Sequence, residues 1–185
     1  MNANPRTSIT HPLLINELEC GAGRLGLTFC PGKQGDSLGN PVPWHRDLEL
    51  DLEIIRCWGA VQVVTLMESH ELTLLNVDAL GPGVEARGME WLHLPIVDQQ
   101  APNQRWDDDW EREFGVRLRQ TLRGGGRVLL HCRGGLGRTG LVAARLLVEF
   151  GEQPEEAIKR VRRARPRAIE TLVQEDYVRR CLPAG

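Results

Sequence analysis

The chain has 185 residues, a formal net charge of −2, 41% hydrophobic and 26% charged residues. That length supports one well-buried domain, and the balance is that of an ordinary soluble globular protein. The charge excludes nucleic-acid binding by bulk attraction, and no apolar run approaches the roughly 20 residues of a membrane span. Leu13-Leu14-Ile15 is too short an apolar cluster for a secretory signal. Cys20, Cys30, Cys57, Cys132 and Cys181 are dispersed without metal-finger or CxxC spacing. We therefore expect reduced thiols, a cytoplasmic location, and neither a metal nor a cofactor. The basic residues are nearly all arginine, with Lys33 and Lys159 the only lysines, a bias that fits genome composition.

In chain order, Leu13–Leu18 and Gly23–Phe29 are expected strands. The first belongs to an extension over residues 1–22, ahead of a single domain over 23–185. Pro31–Pro43, broken by glycine and proline, is expected as a loop. Leu48, Leu52 and Ile55 predict a helix from Asp47 to Trp58, stopped at Gly59. Val61–Met67 is a continuous apolar run of the kind that parallel sheets bury on both faces. A short helix at Glu71–Leu75 and a strand at Glu90–Leu94, ended by Pro95, come next. Asp98–Asp108 is a polar loop. Trp110, Phe114, Leu118 and Leu122 then recur every four residues on an amphipathic helix from Trp106 to Arg123. Gly124-Gly125-Gly126 stops it before a strand at Arg127–His131. A helix at Thr139–Phe150 is apolar on most sides, and Pro154–Arg165 and Glu170–Cys181 close the chain as two more. The alternation predicts an α/β domain with a central, mostly parallel sheet flanked by helices. The basic run Lys159–Arg167 reads as a solvated helix face. Trp44 is a core candidate that could lie near a site.

Between the last strand and the buried helix lies His131-Cys132-Arg133-Gly134-Gly135-Leu136-Gly137-Arg138-Thr139-Gly140. Glycines at 134, 135 and 137 let successive backbone N–H groups point inward around an anion. The helix that follows adds the positive end of its dipole, which also stabilises a thiolate at Cys132. Arg138 offers a planar fork for two phosphate oxygens. Gly135–Gly140 also matches the dinucleotide fingerprint GxGxxG, but the acidic pair expected downstream, Glu155-Glu156, falls inside a helix. Gly21–Gly26 matches it too, without a helix to follow. No Walker GK[ST] is present.

The loop resembles the signature HCxxGxxR[ST] of the protein tyrosine and dual-specificity phosphatases, matching at His131, Cys132, Gly135, Arg138 and Thr139. Similarity to the cyclin-dependent-kinase-associated subgroup extends to Gly26-Leu27, Pro31-Gly32, Leu94–Asp98 and Ala168–Thr171. The resemblance implies that fold and a phosphoprotein phosphatase working through a phosphocysteine on phosphotyrosine, possible substrates extending to phosphoserine and phosphothreonine. It implies Cys132 as nucleophile, with Arg133, Gly134, Gly135, Leu136, Gly137 and Arg138 holding the phosphate. Thr139 would help the thiolate leave, and His131 would brace the loop. Asp98, which follows a strand 34 residues before Cys132, matches the family's general acid. Asp107, Asp108 and Asp109 are the alternatives. Gln174 resembles a late glutamine that positions water in some relatives. Leu136 replaces the loop lysine of some phosphoinositide phosphatases. The implied partner is a phosphorylated protein, with no nucleic acid and no membrane, and the protein is expected as a monomer. A phospho-binding module without turnover, a phosphatase of non-protein monoesters, and arsenate or sulfur-transfer chemistry are the competing readings.

Overall fold

The computed structural model describes residues 4–37 and 40–184. The first half runs β1 (Asn16–Cys20), β2 (Gly23–Phe29), β3 (Gln34–Ser37), β4 (Asn40–His45), α1 (Leu48–Trp58), β5 (Gln62–Thr65), α2 (Ser69–Leu74), α3 (Leu80–Glu85) and β6 (Glu90–His93). The second half runs α4 (Gln104–Asp109), a π-helical turn (Trp110–Phe114), α5 (Gly115–Arg123), β7 (Arg127–Cys132), α6 (Gly137–Glu149), α7 (Pro154–Ala164) and α8 (Leu172–Arg179).

The main sheet has the order β1-β2-β7-β5-β6. Only β1 is antiparallel to its neighbour; β2, β7, β5 and β6 run parallel, as the strand–helix alternation predicts. Leu25, Leu27, Val63, Val64, Val128, Leu129 and Leu130 are all fully buried, so the central strands are apolar on both faces. Helices α5 and α6 pack on β2 and β7, and α7 lies against β1 and α6. Strand β7 is the middle strand, and its carboxyl end delivers Cys132 where parallel sheets place ligands.

Three expectations change. Residues 31–43 are not simply loop: β3 and β4 pair antiparallel, with Gln34 opposite His45 and Gly35 opposite Trp44. Long-range bonds hold this hairpin: Gln34 N donates to Leu75 O at 3.0 Å, and Arg6 bonds both Pro43 and His45. At its base Arg46 is forked onto Asp51 at 2.7 and 2.8 Å, both side chains fully buried. Helix α3, Leu80-Gly81-Pro82-Gly83-Val84-Glu85, has no sequence signal because glycine and proline are poor helix formers. It forms because Pro82 sits in the first turn and a Cβ at Gly81 would strike the Trp91 ring at 2.4 Å, so packing selects glycine there. The predicted helix 106–123 begins two residues earlier, capped by Asn103 accepting from Trp106 N at 3.0 Å, and contains a π turn.

Candidate active site

The loop after β7 turns so tightly that Gly135 takes φ +67°, and a Cβ there would meet Thr28 O at 2.2 Å. No other residue fits. Arg165, at the end of α7, donates to the carbonyls of Gly134 (3.0 Å) and Gly135, and to Asn16 Oδ1 at 2.6 Å. With carbonyls pinned outward, the backbone N–H groups are freed for the opposite side.

One pocket of about 350 Å³ collects Cys132, Arg133, Gly134, Leu136, Arg138 and Asp98, together with Lys33, Gln34, Trp44, Leu75, Gln99, Arg167 and Glu170. Arg138 lies in the first turn of α6, which starts two residues before the expected Thr139, and is 1% exposed. Its Nη1 and Nη2 donate to the Glu71 carboxylate at 2.5 and 2.9 Å. Nη1 also reaches Leu66 O and Ile96 O, at 3.4 and 3.2 Å. Burial works against this charge, but Glu71 and the neighbouring anionic groups outweigh it and hold the guanidinium above its ordinary range. Conversely, burial tends to raise Glu71, while Arg138 and the Glu68 amide bring it below the usual carboxylate value. Nε of Arg138 has no partner among the described residues.

Asp98 Oδ1 stands 2.9 Å from Arg138 Nη2, with half of its side chain exposed. The three alternatives lie elsewhere: Asp107 is bound to Arg145 and Tyr177, Asp108 accepts from Gln104, and Asp109 pairs with Arg112. His131 is fully buried, and Nε2 lies 2.7 Å from Thr65 Oγ1, which also accepts from Trp91 Nε1 at 2.8 Å. Burial pushes its pKa down to about 3, so it is neutral and does not shuttle protons at ordinary pH. Thr139 is fully buried, and its Oγ1 has no partner among the described residues.

Two expected residues already have partners within the protein. The Gly137 amide donates to Glu170 Oε2 at 2.8 Å, so this member of the expected cradle is already engaged. Gln174 is fully buried, its amide bonded to Glu170 N and Gln100 O at 2.9 and 3.4 Å. Glu71 and Lys33 carried no sequence signal toward this site. Glu71 stands where a capping glutamate belongs; Lys33 is conspicuous only as one of two lysines. Lys33 is 9% exposed, its Nζ 3.3 Å from Arg133 O and over the rings of Phe29 (4.4 Å) and Trp44 (4.7 Å). Burial lowers its pKa to about 8. The expected basic face is largely spoken for: Lys159, Arg160 and Arg162 pair with Glu156, Glu152 and Glu175, and Arg167 alone of the run lines the pocket.

Residues 49–178 match the family model described as the DSP-PTPase phosphatase domain of a Swiss Army Knife protein. Cyclin-dependent kinase inhibitor 3 of Rattus norvegicus is 31% identical over 157 residues, 83% of this chain and 69% of the relative; the Homo sapiens protein gives the same values. The crystal structure of kinase associated phosphatase, with its catalytic cysteine changed to serine, superposes with a TM-score of 0.78 at 28% identity. It covers 90% of this chain and 92% of that one. Tk-PTP in its active form gives 0.63 at 31% identity, covering 84% and 89%. These likenesses converge on the phosphatase fold. The chain belongs to the DSP-PTPase family of cysteine-dependent protein tyrosine and dual-specificity phosphatases, and is of the cyclin-dependent-kinase-associated type.

Proposed function

We propose that this phosphatase hydrolyses phosphotyrosine in proteins, and phosphoserine or phosphothreonine as well, through a phosphocysteine on Cys132. The observation that carries this reading is the meeting of Cys132, Arg138 and Asp98 in one small pocket. The thiolate sulfur attacks phosphorus, an S–P bond forms, and the P–O bond to the leaving group breaks. The Asp98 carboxyl gives its proton to the departing oxygen. Asp98, now a carboxylate, takes a proton from the water that attacks phosphorus, and the S–P bond breaks. Thr139, whose buried hydroxyl has no partner among the described residues, donates to the leaving sulfur.

Arg138 binds phosphate by its Nε–Nη2 edge, because Glu71 occupies the Nη1–Nη2 fork. The amides of Arg133, Gly134, Gly135, Leu136 and Arg138 complete the cradle. Four cations line the pocket (Lys33, Arg133, Arg138 and Arg167) against two acids, Asp98 and Glu170, which favours a dianionic monoester. Trp44 and Leu75 supply an apolar wall for an aryl ring. The relatives' name makes a phosphorylated protein kinase one substrate to test. Five free thiols support action in the reducing cytoplasm.

The test is hydrolysis of phosphotyrosyl, phosphothreonyl and small aryl phosphates by wild type, Cys132→Ser and Asp98→Asn, with and without chelator. Wild-type turnover unaffected by chelator and abolished in Cys132→Ser is expected. Binding of phosphopeptide without turnover by wild type would instead assign a phospho-binding module. Turnover restricted to non-protein monoesters would move the substrate class.

A further inference from the structure

The segment that opens α8 touches both catalytic loops at once. On the cradle side, Ile169 N donates to Leu136 O at 3.3 Å, and Glu170 Oε2 accepts the Gly137 amide at 2.8 Å. On the acid side, Thr171 Oγ1 donates to Gln99 O at 3.1 Å, and Gln174 Nε2 donates to Gln100 O at 3.4 Å. Gln99 and Gln100 directly follow Asp98. Thr171 and Gln174 also close a capping box, Gln174 N donating to Thr171 Oγ1 at 3.3 Å and Thr171 N to Gln174 Oε1 at 3.4 Å. One hydroxyl thus accepts from its own helix and donates to the acid loop. Backbone strain marks both ends of the bridge: Gln99 and Ile169, neither a glycine, hold φ of +61° and +60°. Such conformations persist only where surrounding contacts impose them.

We propose that Thr171, backed by Gln174, is a positioning residue that latches the acid loop to the cradle and holds Asp98 over the leaving group. This rests on the reading of Asp98 as general acid. Asp98 itself is half exposed, and within the site it pairs with Arg138, a group phosphate would claim. When phosphate takes that guanidinium edge, the bonds to Gln99 and Gln100 remain to keep the acid in place. The latch therefore acts on proton donation and leaves phosphate binding to the cradle.

Thr171→Asp separates the two jobs of the hydroxyl. Aspartate still accepts Gln174 N as a good N-cap but has no proton for Gln99 O. Thr171→Ser keeps both. The readout is kcat/KM for an aryl phosphate with a poor leaving group, phenol, against one with a good leaving group, dinitrophenol. Taking the ratio cancels any uniform effect of the new charge on phosphate binding. Thr171→Asp should lose about tenfold on phenyl phosphate and less than about twofold on the dinitrophenyl ester, with Thr171→Ser near wild type on both. An equal loss on both esters for Thr171→Asp, or the same loss in Thr171→Ser, overturns the latch. Asp98→Asn is run beside them. If its loss depends on the leaving group while that of Thr171→Asp does not, only the latch fails. If the Asp98→Asn loss is independent of leaving group, the acid reading fails and the latch falls with it.

Discussion

Helix α6 carries two buried arginines, Arg138 and Arg145, and they are satisfied in opposite ways. Arg145 is saturated: Nε donates to Glu149 Oε1 at 2.8 Å, Nη2 to Glu111 at 2.6 Å, and Nη1 to Asp107 and the Tyr177 hydroxyl. Glu149 is further bound by Trp110 Nε1 and Arg119. Every acceptor there comes from within the protein, and the network ties α4, the π turn, α6 and α8 together. Arg138 is forked onto Glu71 and bonded through Nη1 to Leu66 O and Ile96 O, but its Nε has no partner among the described residues, and it lines the pocket beside half-exposed Asp98. Deep burial on one helix, Arg138 1% and Arg145 6% exposed, thus accompanies a site in one case and a structural clamp in the other. What separates them is the unspent donor.

That contrast is breakable. Arg138→Lys should lower kcat/KM about 1,000-fold, since a point charge cannot replace the planar edge, while stability falls by about 1 kcal/mol as the fork onto Glu71 becomes a single charge contact. Steady-state kinetics with thermal melts checks both halves. Asp98→Asn should cost about 100-fold in kcat, more for poor leaving groups, without weakening phosphate inhibition. Arg145→Met should do the reverse. It should destabilise by about 3 kcal/mol in urea unfolding, because Glu149 is left buried with fewer partners, yet keep kcat/KM within about twofold. A kinetic collapse in Arg145→Met would erase the distinction between the two arginines.

Smaller effects sharpen it. Lys33 has a pKa near 8, so its ammonium is present below that pH and lost above it. The pH profile of kcat/KM should therefore fall on its alkaline side near pH 8, and Lys33→Met should be about tenfold slower at pH 7 with that limb removed. Arg167→Gln, exposed at the pocket rim, should cost about threefold at low salt and nothing measurable at high salt.

The loop and its flanking elements were legible because the information is local: ten consecutive residues hold the proposed nucleophile, the glycines and the arginine, with an apolar strand before them and an apolar helix after. Asp98, the proposed acid, was picked out by resemblance and by its place after Pro95, and it stands beside Arg138. Glu71 was not, because its meaning depends on an arginine 67 residues away. Lys33 likewise acts on a carbonyl 100 residues distant, from a hairpin whose glycines and prolines mask any strand pattern. The bridge at Thr171 reads in sequence as an ordinary helix cap. Only the fold shows that its hydroxyl also faces Gln99, 72 residues back. Arg138 is marked in sequence by its loop, but the fork that engages it and the network that saturates Arg145 rest on partners from other elements.

The most direct measurement is a rapid acid quench of wild-type enzyme during turnover of a good-leaving-group aryl phosphate, followed by peptide mapping. A phosphoryl group on the Cys132 peptide, with neither adduct nor turnover in Cys132→Ser, is the predicted result. Sustained turnover in Cys132→Ser, or turnover by wild type with phosphate on some other residue, would contradict the account.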